Sequence, residues 1–218
     1  MKFIMSYSGG KDSILALHRL VGQGHQPVGL LVMFHEEAGR SWFHGIDPPL
    51  LQAIAKALDL PLFLCGAAGD AYHLAMEECL IRAKSLGAEA CAFGDIDIEA
   101  HRQWDEARCA ATGLEALLPL WQRGREENAR EAVALGYRCL IKCINRDVLP
   151  ERFLGRELSV ELLEEMKRLG IDLCGENGEY HTVVVDGPLF LHPVACECRE
   201  TLRFGKFSAI NLIANREE

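Results

Sequence analysis

Lys2-Phe3-Ile4-Met5-Ser6-Tyr7, followed at once by Ser8-Gly9-Gly10-Lys11-Asp12-Ser13, decides the fold. The first six residues are a short apolar run that reads as a strand. After the glycines, Ile14, Leu17 and Val21 recur at helical spacing. A strand, a Gly-rich turn and a helix N-terminus make a phosphate cradle. The glycines permit positive φ and close backbone approach. The unpaired amides of the first helical turn point at the anion, and the helix dipole adds to the attraction. Ser8 and Ser13 supply hydroxyl donors and Lys11 a cation. The plain alternative is a tight turn with Asp12 or Ser13 as an ordinary N-cap.

The spacing is not that of a Walker A loop, which needs four residues between its first Gly and the Gly-Lys pair. No third Gly follows at the dinucleotide spacing either. The hexapeptide resembles the PP-loop of the N-type ATP pyrophosphatases. That resemblance implies ATP as cofactor, with its β,γ-pyrophosphate on Ser8, Gly9, Gly10, Lys11, Asp12 and Ser13. A nucleophile then attacks the α-phosphate to give an adenylylated intermediate and pyrophosphate.

Working outward, strands and helices alternate through the first half. Strands are expected near 27–34, 60–65 and 90–93, and helices over 48–58, 70–86 and 97–112, with Asp70 and Asp97 as N-caps. This alternation predicts an α/β, Rossmann-like parallel sheet with helices on both faces, with ligands at the carboxyl ends of the strands. Met33 and Phe34 end one such strand and are the expected adenine contacts. Gly94-Asp95 ends another.

The second half changes character. An apolar turn is expected at 117–121, helices over 126–135 and 159–169, and strands over 139–144, 181–185 and 202–213. We read a nucleotide domain over 1–120 and a smaller α+β substrate domain over 121–218.

Composition narrows the class. The 218 residues are 49% hydrophobic and 25% charged, an ordinary globular balance. No apolar run is long enough for a membrane span, and the N-terminal strand does not read as a signal peptide, so a cytoplasmic protein is expected. A net charge of −9 argues against a nucleic-acid substrate. The nine cysteines form no C-x-x-C pair and lie mostly in apolar runs, as at Cys65, Cys91, Cys139 and Cys143. They read as buried free thiols.

Two further polar stretches stand out. Gly175-Glu176-Asn177-Gly178-Glu179-Tyr180-His181-Thr182 places two carboxylates and a histidine before an apolar strand, and reads equally as a solvated turn or as a site. Gly94-Asp95-Ile96-Asp97 offers carboxylates at a strand end. Asp12 and Asp95 are the candidate Mg²⁺ ligands. His44 lies in a loop on the ligand side of the sheet. Trp104 and Trp121 read as packing residues.

Taken in order, the PP-loop, Phe43-His44, Phe93-Gly94-Asp95-Ile96, Pro119-Leu120-Trp121, Cys174 to Tyr180 and Asp186-Gly187-Pro188-Leu189-Phe190 resemble the diphthine–ammonia ligase family. The resemblance implies an ATP-dependent amide-forming ligase. A small-molecule or protein-linked carboxylate is adenylylated, and ammonia displaces AMP. Lys11, Asp12, Asp95, Glu176, Glu179 and His181 would be the catalytic group, and His44, Asp97, Asn177 and Thr182 would bind substrate. Family members typically carry Gly and Glu where this chain has Asn177 and His181. That form resembles a bacterial subgroup associated with cobalamin salvage. The competing readings are a PP-loop enzyme modifying transfer RNA, of thiolase or lysidine type, and a non-catalytic nucleotide-binding protein. A homodimer is a compatible assembly for the ligase.

Overall fold

The computed structural model describes residues 1–215 apart from Phe43 and Ala68, and for Asp70 the backbone alone. The N-cap role expected of Asp70 therefore lies outside the described residues, as does Phe43.

Strand β1 (Lys2–Ser6) is the centre of the first sheet. It pairs in parallel with β2 (Gln26–His35) on one side and β5 (Ala90–Ala92) on the other. Parallel partners β4 (Leu62–Ala67) and β6 (Glu115–Leu117) extend the sheet outward. A two-residue strand β3 (Arg40–Ser41) turns back antiparallel on the end of β2. The expected apolar turn at 117–121 thus begins as strand, because Leu117 completes the β5–β6 pairing.

The period-2 alternation of β1 assigns its faces. Phe3 and Met5 pack with α1 (Lys11–Gly22) and α2 (Pro48–Ala57). Ile4 points the other way, toward α3 (Tyr72–Ser85) and α4 (Glu99–Thr112). All three side chains are fully buried. Asp47 caps α2 by accepting from the Leu50 amide at 3.0 Å, ahead of the two prolines that fit a first helical turn. Residues 69–71 form a single 3₁₀ turn before α3.

A second, antiparallel sheet follows, in the order β8 (Tyr180–Asp186), β7 (Arg138–Asn145), β10 (Phe207–Ala214), β9 (Cys196–Phe204). Helices α5 (Arg125–Ala134) and α6 (Val160–Arg168) precede β7 and β8. Ser159 caps α6 through the Leu162 amide, as its position suggested. The single strand expected over 202–213 is instead a hairpin: Gly205 takes φ +51° and turns β9 back along β10.

The second sheet packs on the α1–α2 face and shares one core with it, including Ile141, Val183 and Leu212. The Val184 amide donates to the Gly9 carbonyl at 2.9 Å. The phosphate-type loop is therefore clamped between the two sheets. No described helix is long and apolar enough to cross a membrane.

Among the cysteines, Cys91, Cys109, Cys139, Cys143 and Cys174 are buried free thiols. Cys65 is a correction. It is bonded to Cys79, because β4 and α3 bring the two Cα atoms to 6.3 Å.

Candidate active site

A cavity of about 570 Å³ opens at the carboxyl ends of β1, β2 and β5. Ser8, Lys11, Asp12 and Ser13 line it together with Glu176, His181 and Thr182, and the two segments adjoin where the Lys11 amide meets Thr182. Asp95 and His44 also line it.

The loop owes its shape to two close approaches. Gly9 has φ +87°, and a Cβ there would run into Ile46 Cδ1. A Cβ on Gly94 would come within 3.0 Å of the Ser13 nitrogen, so β5 can end against the first turn of α1 only without a side chain. The helix N-cap is Gly10, not Asp12 or Ser13, and makes no side-chain cap bond. The Lys11 amide donates to Thr182 Oγ1 at 3.0 Å. Among the described hydrogen bonds the Asp12 and Ser13 amides have no partner, and these are the donors left for an anion. Gly9 and Gly10 do not line the cavity; the His44 ring covers Gly10, with Cε1 2.5 Å from where its Cβ would stand.

Lys11 is not a free cation. Its ammonium donates to Asp12 Oδ2 at 2.7 Å and to the Cys174 carbonyl. Burial opposes its charge, but the Asp12 carboxylate and the nearby Tyr180 and Cys174 groups outweigh burial and raise its pKa.

Two neutral histidines face each other, ring centroids 4.8 Å apart. Burial pushes His181 down to about 4, with Lys11 assisting. His44 is lowered by burial and by His181. His44 Nδ1 lies 2.7 Å from the Thr182 carbonyl, which can only accept. Nδ1 therefore carries the proton, and Nε2 keeps a lone pair.

Glu176 is pushed up to about 7 by burial and by the Asp12 carboxylate. Its partners in the motif are placed differently. Glu179 is turned back into its own loop, accepting from the Asn177 amide and from Asn177 Nδ2, both at 3.1 Å. Asn177 is exposed. Neither residue lines the cavity. Met33 lines it and Phe34 does not.

Asp97 is a second departure. It neither lines the cavity nor caps α4, whose N-cap is Ile98. Arg125 holds it through two bonds of 2.7 Å and also donates to Asp172 at 2.6 Å. Arg125 thereby ties the segment after β5 to the 172–177 loop. Its sequence signal was only a short basic cluster at 123–125.

Asp105 was also missed. It is 4% exposed on the buried stripe of α4 with Cys109 and Thr112. Burial and the adjacent Asp95 carboxylate push it up to about 9, so it is protonated at neutral pH beside Asp95. His101 Nδ1 lies 3.0 Å from Asp95 on its other side. A carboxylate on the sheet-facing stripe of an amphipathic helix was the available signal. Trp104 lines the cavity with Trp42 and Tyr72, while Trp121 lies outside it, under Arg102.

Residues 1–116 match the family model of the diphthamide synthase N-terminal domain, and residues 125–211 that of its C-terminal domain. The chain belongs to the diphthamide synthase family. Diphthine–ammonia ligases of Rattus norvegicus and Homo sapiens are 28% and 26% identical, each match covering 93% of this chain and 85% of the relative. That of Schizosaccharomyces pombe is 28% identical over 93% of this chain but only 37% of its own length. Among solved structures, a predicted subunit of tRNA methyltransferase from Methanocaldococcus jannaschii aligns over 86% of this chain and 98% of its own, with 15% identity and a TM-score of 0.45. That likeness is too remote to carry an argument.

Proposed function

We propose that the protein is an ATP-dependent amide-forming ligase that adenylylates a carboxylate and passes it to ammonia, as the names of its relatives suggest. The observation that carries this reading is that Ser8, Lys11, Asp12 and Ser13 of the loop line one cavity with Glu176 and His181. The nucleotide domain is 1–120 and the acid-binding domain 121–218.

ATP binds with its phosphates at the Asp12 and Ser13 amides and the Ser8 and Ser13 hydroxyls, and its adenine near Met33. The acid's carboxylate oxygen attacks the α-phosphorus, and the bond to pyrophosphate breaks. Ammonia nitrogen then attacks the acyl carbon and AMP leaves. Glu176, poised near neutral pH, takes a proton from the incoming ammonium or ammonia. His44 Nε2 is a neutral acceptor lining the same cavity, and His181 orients the acid without adding charge.

Asp12, Asp95 and Glu176 would repel a polyphosphate, so a divalent cation suits this cavity. No described group of three or more His, Cys, Asp or Glu side chains can hold a metal. Mg²⁺ fits, since it binds through one or two carboxylates plus substrate phosphates. Asp12 is the candidate ligand; Asp95 is engaged by His101 and Asp105. The ion would offset phosphate charge.

The reaction is placed in the cytoplasm, where ATP and ammonium are both at hand. The amidation chemistry is of the diphthine-ligase type, but Asn177 and His181 alter the charge the late loop presents, so the acid need not be diphthine. Screening acids and histidine-bearing peptides for ammonium-dependent AMP release tests the reading. Turnover of ATP that no acid stimulates contradicts it.

A further inference from the structure

A second cavity of about 220 Å³ lies behind the histidine pair. Trp42, His44 and His181 line both cavities, so the imidazoles form the wall between them. The far side is built by β3, β7 and the β9–β10 hairpin. Its lining includes Arg40 and Lys142, an apolar wall of Leu202, Phe204 and Phe207, and no Asp or Glu.

Lys142 is the unusual member. It sits inside β7 and is only 2% exposed. Its one described hydrogen bond is to the Ile210 carbonyl, long at 3.3 Å. An ammonium has three donors, and no described carboxylate pairs with this one. Burial, with the Arg40 guanidinium nearby, pushes its pKa down to about 8. Arg40 donates to the Gly45 carbonyl at 3.2 Å and to Asn211 Oδ1 at 3.3 Å, again with no described carboxylate partner.

The neighbouring acids are engaged elsewhere. Glu200 accepts from Asn211 Nδ2 at 2.8 Å, and Asp47 caps α2. Two cations facing one cavity, one of them buried, are costly unless an anion joins them. In a chain of net charge −9 such a spot is a selective feature. It also adjoins the chemistry, since the charges of both Lys11 and Lys142 bear on His44.

We propose that this second cavity anchors an anionic end group of the acid substrate distinct from the carboxylate that reacts, with Lys142 and Arg40 holding its oxygens and Leu202, Phe204 and Phe207 receiving the apolar stretch beside it. The proposal deepens the ligase reading and rests on it for the word substrate. The substrate class it names is an acid with a second anionic group on an apolar stretch, that group seated behind His44 and His181 while the reacting carboxylate stands on the nucleotide side.

Calorimetry on the full chain without nucleotide tests the site, using hexanoate, hexanamide and hexylammonium as probes. Hexanoate should bind at least about 10-fold more tightly than either uncharged or cationic analogue. Lys142→Met should abolish that preference and leave ATP affinity within about 2-fold. If Lys142→Met does not fold, Arg40→Gln is read in the same way. Equal affinity for hexanoate and hexanamide, no hexanoate binding, or unchanged preference in the folded variant overturns the proposal. Lys142-dependent hexanoate binding in a protein that never forms AMP supports the anion site and contradicts the ligase reading. AMP formation without such binding contradicts the site alone.

Discussion

The loops at 8–13 and 174–182 face the same cavity but are built on opposite principles. The first is a backbone device. Its anion donors are amides, and its shape follows from Gly9 and from Gly94 standing against it. The second is a side-chain device held by partners distant in sequence. Arg125 fixes it from α5 through Asp172, while Glu179 ties down Asn177 from within. Of its side chains Cys174, Glu176, Tyr180, His181 and Thr182 line the cavity, while Asn177 and Glu179 do not. A polar stretch is not a stretch of site residues: some hold the loop so that others can act.

The largest effect should come from the backbone device. Gly9→Val and Gly10→Val add a β-branched residue where Ile46 and His44 already stand, at Gly9 with a positive φ as well. ATP affinity by calorimetry should fall at least about 100-fold, with circular dichroism showing whether the chain still folds. A folded Gly10→Val with unchanged affinity would break the contrast between the loops.

Next, the two glutamates should separate. Glu176→Ala should keep ATP affinity within about 2-fold yet remove amide formation. Glu179→Ala removes both hydrogen bonds to Asn177 and should instead cost about 1–3 kcal/mol of stability, read as a lower melting temperature. Identical behaviour of the two variants would erase the distinction drawn within the loop.

Smaller is the effect of Arg125→Ala. It releases Asp97 and the largely buried Asp172 together, and should lower stability by about 1–2 kcal/mol. ATP affinity should barely change. A loss of nucleotide binding without loss of stability would place Arg125 in the first device instead of the second.

The pH response is the finest probe. The Glu176 pKa is raised in the folded state, so it favours folding below its ordinary carboxylate value and loses that contribution as pH rises toward about 7. Wild type should therefore lose stability relative to Glu176→Gln between about pH 4.5 and 7. The His181 pKa is depressed, so wild type should lose stability relative to His181→Gln as pH falls from about 6.5 to 4. Flat difference curves by chemical denaturation would contradict these assignments.

How much of this was legible follows the same division. The strand–turn–helix at 2–21 and the alternation behind it are local patterns, so the parallel sheet and the loop's place in it could be read directly. Phe3 and Met5 against Ile4 even assign the two faces. The turn at Gly205 was lost because apolar residues continue on both sides of it, and the pairing of Cys65 with Cys79 because it needs β4 and α3 in three dimensions. Asp97 has the sequence credentials of an N-cap, yet an arginine 28 positions away outcompetes the helix for its carboxylate. Asp105 and Lys142 are visible only as charges on otherwise buried faces, and their surroundings are set by tertiary packing.

The central claim is that one cavity joins ATP, an acid and ammonia. Supplying an accepted acid labelled with ¹⁸O in its carboxylate, with ammonium and ATP, tests it directly by mass spectrometry of the nucleotide. The account predicts one ¹⁸O atom in the AMP formed, with pyrophosphate and the amide in equal amounts. ADP and inorganic phosphate, or AMP carrying no label, would contradict it.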